Sequence, residues 1–125
     1  MARHAGELGK QIHGNPYMTK DMARIVLKLI LLRRIQKSEV YSYALIKEFD
    51  NPRISGLLKK KSGVKNDIYN VVKVLEKTGY IKSTARMDAG RLKKYYSITP
   101  KGKIALKESK RLFMESMKGL MMILR

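Results

Sequence analysis

The sequence predicts a mainly α-helical domain that carries one small antiparallel β-hairpin and ends in a long helix. Three observations favour this fold class. Apolar residues recur every three to four positions through much of residues 20–77, as they do on the buried side of α-helices. A β-prone stretch with a glycine-containing turn follows at 80–98, and an apolar repeat begins after Pro100. The 125 residues suffice for one compact domain with its own core.

The first helix is predicted from about Lys20 to Ile35. Thr19 is a suitable N-cap, and Asp21 falls in the first turn, where the helix dipole favours a negative charge. The apolar surface of this helix is broad, so it must be covered on more than one side, either in the core or in a dimer interface. That surface consists of Met22, Ile25, Val26, Leu29, Ile30, Leu32 and Ile35.

A second, shorter helix is predicted over SEVYSYALIKEF, ending at Asp50-Asn51-Pro52 because the residue before a proline avoids helical backbone. Its expected buried side chains are Tyr41, Ala44, Leu45, Ile46 and Phe49. The following segment, RISGLLKKK, fits either a helix of one or two turns or an ordered loop. Its lysines are either a phosphate-contacting patch or a solvated surface, and we favour the patch because the next helix follows directly. These lysines are Lys59, Lys60 and Lys61.

The stretch from Asn66 to Ile81, NDIYNVVKVLEKTGYI, predicts a helix with two distinct faces. One apolar stripe at i, i+3, i+4 and i+7 should face the core; it consists of Ile68, Val71, Val72 and Leu75. The opposite side carries amides, a phenol ring and positive charges, and it consists of Asn66, Tyr69, Asn70, Lys73 and Lys77. Gly79 suits the left-handed conformation that ends a helix. Taken alone, this pattern fits an ordinary surface helix as well as a helix that reads a nucleic-acid groove.

Two β-prone segments follow, Tyr80 to Arg86 and Leu92 to Ile98, on either side of a turn at Asp88-Ala89-Gly90. They predict a β-hairpin with a basic tip and second strand. The positive charges that we expect this hairpin to present are Arg86, Arg91, Lys93 and Lys94.

The last helix is predicted from about Pro100 to Leu124, with Thr99 as its N-cap and Pro100 at its first position. Its apolar residues follow a heptad-like spacing and offer more surface than a small domain can cover, so we favour self-association over packing within the chain. The stripe consists of Leu106, Phe113, Met117, Leu120 and Leu124.

The charge of the chain indicates a polyanionic partner. Lys and Arg number 28 against 10 acidic residues, which gives a net charge of +18. From Arg53 to Arg111 there are 17 basic and 4 acidic residues, so +13 of that charge lies in under half the chain. Such a field is self-repulsive unless a polyanion neutralises it, and nucleic acid is the commonest one.

Several classes of protein are disfavoured. The absence of cysteine excludes disulfides and thiolate metal sites and fits the cytoplasm, where we expect the protein on the nucleoid. No apolar run approaches the ~20 residues of a membrane span, and residues 1–18 resemble a flexible basic arm more than a signal peptide. An enzyme is not expected, because the two histidines lie in that arm, no phosphate-binding glycine loop is present and the acids are scattered.

The predicted order of elements is helix, helix, polar-faced helix, β-hairpin and long helix, which is the order of a winged helix-turn-helix. In that fold one helix enters the major groove, where base edges are exposed, while the basic hairpin lies on neighbouring phosphates or the minor groove. We therefore expect a winged-helix domain over residues 19–99 and a dimerisation helix over 100–125.

Three segments resemble the PadR-like winged-helix regulators: YSYALIKEF, IYNVVKVLEKTGYI and RLKKYYSITPKGKIAL. The resemblance spans roughly Thr19 to Lys107. It implies a homodimer that binds a palindromic operator in double-stranded DNA, usually to repress. Many family members also bind a small-molecule effector near the dimer interface, but nothing in this sequence indicates such a site, and no cofactor is expected. Two departures from the family pattern are Ser42 in place of a glycine and Asn66-Asp67 in place of a glycine-threonine pair, which leaves open whether Asn66 or Asp67 caps the helix.

The sequence thus favours a sequence-specific DNA-binding regulator. Base edges or flanking phosphates would be contacted by Lys65, Asn66, Tyr69, Asn70, Lys73 and Lys77. Two alternatives stay open. The high charge also fits a sequence-independent architectural protein that coats DNA or RNA, and the fold also fits an adaptor that binds an acidic protein.

Overall fold

The computed structural model describes residues 19–61 and 63–125, and the arm predicted for residues 1–18 lies outside the described residues. Five helices and three strands follow one another in the described part. They are α1 (Lys20–Lys37), β1 (Val40–Tyr41), α2 (Ser42–Phe49), α3 (Pro52–Leu57), α4 (Lys65–Lys77), β2 (Ile81–Asp88), β3 (Arg91–Ile98) and α5 (Pro100–Ile123). The fold is therefore mainly α-helical with a small antiparallel sheet, as the sequence predicts.

Helix α1 begins as expected, because the Thr19 hydroxyl accepts a hydrogen bond from the Met22 N–H at 3.1 Å. The rest of the described part of the chain buries one side of it. That side carries Ala23, Leu27, Leu31, Leu32 and Ile35. The described residues thus do not cover α1 on more than one side, and three residues of the predicted apolar surface are exposed: Met22, Ile25 and Ile30.

The second helix is shorter than predicted. Val40 and Tyr41 form strand β1, and α2 starts only at Ser42. Strand β1 pairs antiparallel with β3 through Val40↔Tyr96, so these two residues satisfy their backbone groups at a sheet edge instead of in a helix. The prediction that Ala44 is buried is also wrong, because its side of α2 faces solvent. The segment after Asn51, which the sequence left open, contains the helix α3.

Helix α4 buries the predicted apolar stripe completely; Ile68, Val71, Val72 and Leu75 are at most 7% exposed. Neither Asn66 nor Asp67 caps it. The N-cap is Val64, which makes no side-chain capping bond and whose own side chain is buried. At the other end Gly79 has φ +82°, the left-handed conformation expected there.

Strands β2 and β3 form the predicted hairpin, with β3 in the centre of the sheet order β1-β3-β2. The register runs from Ile81↔Ile98 at the base to Asp88↔Arg91 at the tip. The two residues between the strands, Ala89 and Gly90, have φ of 50° and 77°. Two consecutive positive φ values are typical of tight hairpin turns whose twist matches that of the strands.

The core lies where α1, α2, α4 and the base of the hairpin meet. The first two turns of α5 close it through Leu106. The Thr99 hydroxyl caps α5 by accepting from the Gly102 N–H at 3.0 Å, as predicted. Beyond Leu106 no residue of α5 is buried. None of the helices in residues 19–61 and 63–125 is long and apolar enough to span a membrane.

Candidate nucleic-acid interface

The outward face of α4 is exposed along its whole length. Because its apolar stripe is fully occupied by the core, the helix turns one polar side to solvent. The Tyr69 ring is 46% exposed, and the Lys73 ammonium lies over it, 5.3 Å from its centroid. The six residues that the sequence singles out on this helix are all exposed: Lys65, Asn66, Tyr69, Asn70, Lys73 and Lys77.

On the side of the hairpin, this face is bounded by an acid. Glu76 follows Tyr69 and Lys73 along one stripe of α4, at i+7 and i+3. Its carboxylate pairs with the Lys94 ammonium of β3 at 3.4 Å. The pair joins α4 to the hairpin and also neutralises one positive charge that the sequence assigns to the interface.

On the side of α1, the same face is bounded by a cleft of about 290 Å³. Arg24 and Lys28 of α1 line it opposite Asn70. These two basic residues were missed at the sequence level. Residues at i and i+4 lie on the same face of a helix, so their spacing could have identified this basic face. It was not recognised because apolar residues occur on several sides of α1.

Asp67 is one of the two residues that the sequence left open as the cap of α4. It instead accepts a hydrogen bond from the Lys60 ammonium at 2.7 Å, across the loop between α3 and α4. Lys59 and Lys61 stay exposed on either side of Lys60. The lysine run is therefore placed beside the start of α4, as the favoured interpretation requires, but one of its three charges is already paired.

The hairpin cations are mostly engaged within the chain. Arg86 pairs with Glu39 and stacks over the Tyr95 ring, its guanidinium carbon 4.0 Å from the centroid. Lys93 pairs with Asp88 at 3.1 Å. Lys94 pairs with Glu76, as described above. Of the four basic residues predicted on the hairpin, only Arg91 therefore has no carboxylate partner among the described residues.

Hydrogen bonding at the tip keeps Asp88 ionised. The Lys93 ammonium and the Tyr95 hydroxyl both donate to its carboxylate, and they hold the pKa of Asp88 below its ordinary value. The same bond raises the pKa of Lys93. Exposed pairs of this kind contribute little to stability and exchange readily with other partners. They can therefore give way to phosphate.

Sequence reasoning also missed two apolar residues at the hairpin tip. Met87 and Leu92 face each other across the two strands and are both exposed. The alternation of side chains along paired strands could have identified them, because it puts both residues on one face next to the turn.

The far half of α5 carries an exposed apolar surface. Phe113, Met117, Leu120 and Leu124 are 51%, 42%, 47% and 70% exposed. Leu106, predicted to belong to the same dimerisation stripe, is 7% exposed because it packs into the chain's own core, so it offers almost no surface to another chain.

A groove of about 600 Å³ runs between α1 and α5. Its floor contains Leu29, Ile30, Leu106 and Phe113 and its rim contains Arg33, Lys103, Lys107 and Lys110. The volume lies in the range of small-molecule sites, and this rim would favour an anion over a cation. Within the described residues there is no cluster of three or more histidine, cysteine or acidic side chains that could hold a metal ion.

The sequence profile described as the transcriptional regulator PadR-like family matches residues 31–108. The chain belongs to this family. PadR-like proteins are DNA-binding transcriptional regulators with a winged-helix fold, and α4 and the hairpin stand at the positions in the chain where that fold has its recognition helix and its wing. No curated protein sequence matches the chain closely enough to be called a relative.

Solved structures of PadR-like regulators have the same fold. A PadR family regulator from Eggerthella lenta superposes with a TM-score of 0.65 at 23% identity, covering 84% of this chain and 87% of its own. A PadR-like regulator from Bacillus cereus gives 0.63 at 25% identity, with 84% and 97% covered. A transcriptional regulator from Clostridium thermocellum gives 0.64 at 24% identity, with 86% and 99% covered.

Proposed function

We propose that this PadR-like protein is a sequence-specific repressor that binds double-stranded DNA on the nucleoid as a homodimer. The observation that carries the proposal is the division of α4. Its entire apolar stripe is buried, so the amides of Asn66 and Asn70 and the Lys73 ammonium are free to reach base edges. Amide side chains can pair with adenine and lysine with guanine in the major groove. Tyr69 and Lys77 would contact flanking phosphates or bases.

Charges around this face support the same partner. Lys59 and Lys61 lie beside the start of the helix, and Arg24 and Lys28 lie beside its α1 flank. A backbone phosphate on either side of the reading helix would therefore meet a cation. The surface pairs of Lys60 and the wing can exchange their carboxylates for phosphates, since such pairs are weak.

The homodimer is supported by the exposed apolar surface of α5 and of α1. A monomer that left this much apolar surface in water would associate, because burial of apolar area is the main driving force of association. A two-fold dimer would place two copies of α4 about one helical turn of DNA apart, roughly 34 to 36 Å, as a palindromic operator requires.

Selection of bound duplexes from a random DNA pool, followed by titration at several salt concentrations, tests the proposal. We expect a palindromic sequence to be enriched. For 6 to 10 phosphate contacts, affinity should fall by about 10³ to 10⁵ between 50 and 200 mM salt. A reporter gene placed behind the selected site should be transcribed less in cells that express the protein than in cells that do not.

Two other outcomes would contradict the proposal and point to its rivals. Tight, salt-dependent binding without any enriched sequence would indicate an architectural protein that coats nucleic acid. Absence of DNA affinity at physiological salt would indicate an adaptor for an acidic protein partner.

A further inference from the structure

Among the described residues, nothing covers the apolar pair at the wing tip. Met87 and Leu92 are direct cross-strand partners, one residue pair before the turn, and they are 68% and 71% exposed. Side chains on the two sides of a hairpin tip normally face water, so polar residues are expected there. Two large neighbouring apolar groups at such a position point to a surface that another molecule covers.

The core cannot cover this pair, because the hairpin extends far beyond it. Ile81 and Tyr96 near the base are the last buried residues of β2 and β3. Each strand has eight residues, and the seven steps of about 3.3 Å between them make the hairpin about 23 Å long. The tip therefore projects from the domain as an arm, with its apolar pair at the end.

The direction of the pair follows from the alternation of side chains. Leu92, Lys94 and Tyr96 lie on one face of β3. Lys94 reaches Glu76 on α4, so this face is turned toward the recognition helix. Met87 and Leu92 lie on the same face and extend past α4, on the side where the helix presents Tyr69 and Lys73.

Charge complementarity identifies the occupant as DNA. Arg91 directly precedes Leu92 and has no carboxylate partner among the described residues, and Arg86 and Lys93, on the other face of the hairpin, carry exchangeable surface pairs. An apolar protein surface would leave these cations without counter-charges, whereas DNA offers phosphates on both sides of a minor groove in which apolar side chains can wedge between base steps. The minor groove lies about half a helical turn, roughly 17 Å, from the major groove that α4 would occupy, within reach of the arm.

We propose that the wing tip is an apolar wedge: Met87 and Leu92 enter the minor groove beside the major-groove site, while Arg91 binds the flanking phosphate. The inference rests on the proposed DNA-binding function. The minor groove is only ~6 Å wide, so a two-stranded tip must widen it, and apolar wedges of this kind bend the duplex away from them. Sites with a flexible TA or CA/TG step under the tip should therefore bind best.

The test uses the full-length chain and the duplex that the wild-type protein selects. A double variant, Met87→Ser with Leu92→Ser, is compared with the swap Met87→Leu with Leu92→Met, which keeps the apolar pair, and with Arg91→Ala. Because Met87, Arg91 and Leu92 are all exposed, all three variants should unfold at the wild-type temperature. Binding is measured across a salt series, and bending by energy transfer between dyes at the two duplex ends.

We expect the serine pair to bind about 10-fold more weakly or worse, with a smaller bend and an unchanged salt slope, while the swap behaves as wild type. Arg91→Ala should instead lower the slope by about 0.9 per lost contact. A serine pair with wild-type affinity and bend would overturn the wedge. So would a loss of affinity with a reduced slope and an unaltered bend, which would assign the tip to the backbone. If the wild-type chain binds no DNA, the proposed function itself fails.

Discussion

Helices α4 and α5 are both amphipathic, but the structure covers them in opposite ways. The chain buries every residue of the apolar stripe of α4 and leaves its polar face in water. It covers α5 only as far as Leu106 and leaves the apolar residues beyond it exposed. The free surface of α4 is therefore suited to a polyanion, and that of α5 to an apolar partner. One small domain thus presents two surfaces that need different partners.

The largest expected effect tests the apolar half of α5. Met117→Lys with Leu120→Lys should weaken the dimer by about 100-fold or more, because two ammonium groups would be buried in an apolar contact. Light scattering across a concentration series measures the shift to monomer.

The matched control is Met122→Lys, a like substitution on the opposite side of α5, where Met122 is 63% exposed. It should leave the dimer intact. If Met122→Lys dissociates the dimer and the Met117 variant does not, then the interface uses the other face of the helix.

The second effect tests the covered half of α5. A Cβ on Gly102 would lie 2.0 Å from the Tyr80 carbonyl oxygen and 2.8 Å from the Ile98 side chain. Gly102→Ala should therefore force α5 away from the hairpin base and reduce the free energy of unfolding by about 3 kcal/mol. Urea denaturation at a fixed protein concentration measures the loss.

Gly119→Ala is the control, because an added Cβ at Gly119 meets nothing within 4 Å. Alanine has the higher helix propensity, so this variant should gain up to about 1 kcal/mol. If both alanines have the same effect, the close approach at Gly102 does not fix α5 to the domain.

The third effect tests the polar face of α4. Glu76→Gln removes the acid that bounds that face on the side of the hairpin and frees the Lys94 ammonium. DNA affinity should rise about three-fold, as expected for one exposed charge pair. Fluorescence anisotropy with the selected duplex measures the gain, and Glu115→Gln on α5 supplies the same change in net charge away from the interface. Equal gains from both variants would show that only net charge matters.

Local patterns in the sequence predicted much of the structure, including the buried stripe of α4, the hairpin turn and two helix caps. The stripe of α4 is set by residues three and four apart, and the turn at Ala89-Gly90 by its own residues, so both could be predicted without knowledge of the tertiary fold. The caps of α1 and α5 by Thr19 and Thr99 are local in the same sense. The winged helix-turn-helix was predicted from the order of these local elements, and the PadR-like family from the resemblance of three segments to its members.

Tertiary contacts decided what the sequence could not predict. Val40 and Tyr41 became a strand because the edge of β3 was available, more than 50 residues further along the chain. Helix α1 is apolar on several sides, so contacts with other elements of the fold decide which side is buried, and that side contains Leu27 and Leu31. The pairing of Glu76 with Lys94 crosses 18 residues, which no local pattern reveals.

The smallest expected effect concerns Lys59, which follows α3 with φ +56°. A left-handed conformation is strained for lysine and free for glycine, so Lys59→Gly should stabilise the fold by about 0.5 to 1 kcal/mol. If Lys59 also contacts phosphate beside α4, the same variant should bind DNA less tightly, with a salt slope lower by about 0.9. Thermal unfolding and a salt titration measure the two effects separately.

Lys61→Gly removes the same charge from a residue whose φ is not in the left-handed region. It should lower the salt slope similarly but destabilise the fold slightly, because glycine loses more conformational freedom on folding. If Lys59→Gly is stabilised and the salt dependence of its DNA affinity is unchanged, then Lys59 terminates α3 and does not contact phosphate. A stabilised variant with a lower slope would mean that the protein keeps a strained lysine at this helix end because DNA binding uses its charge.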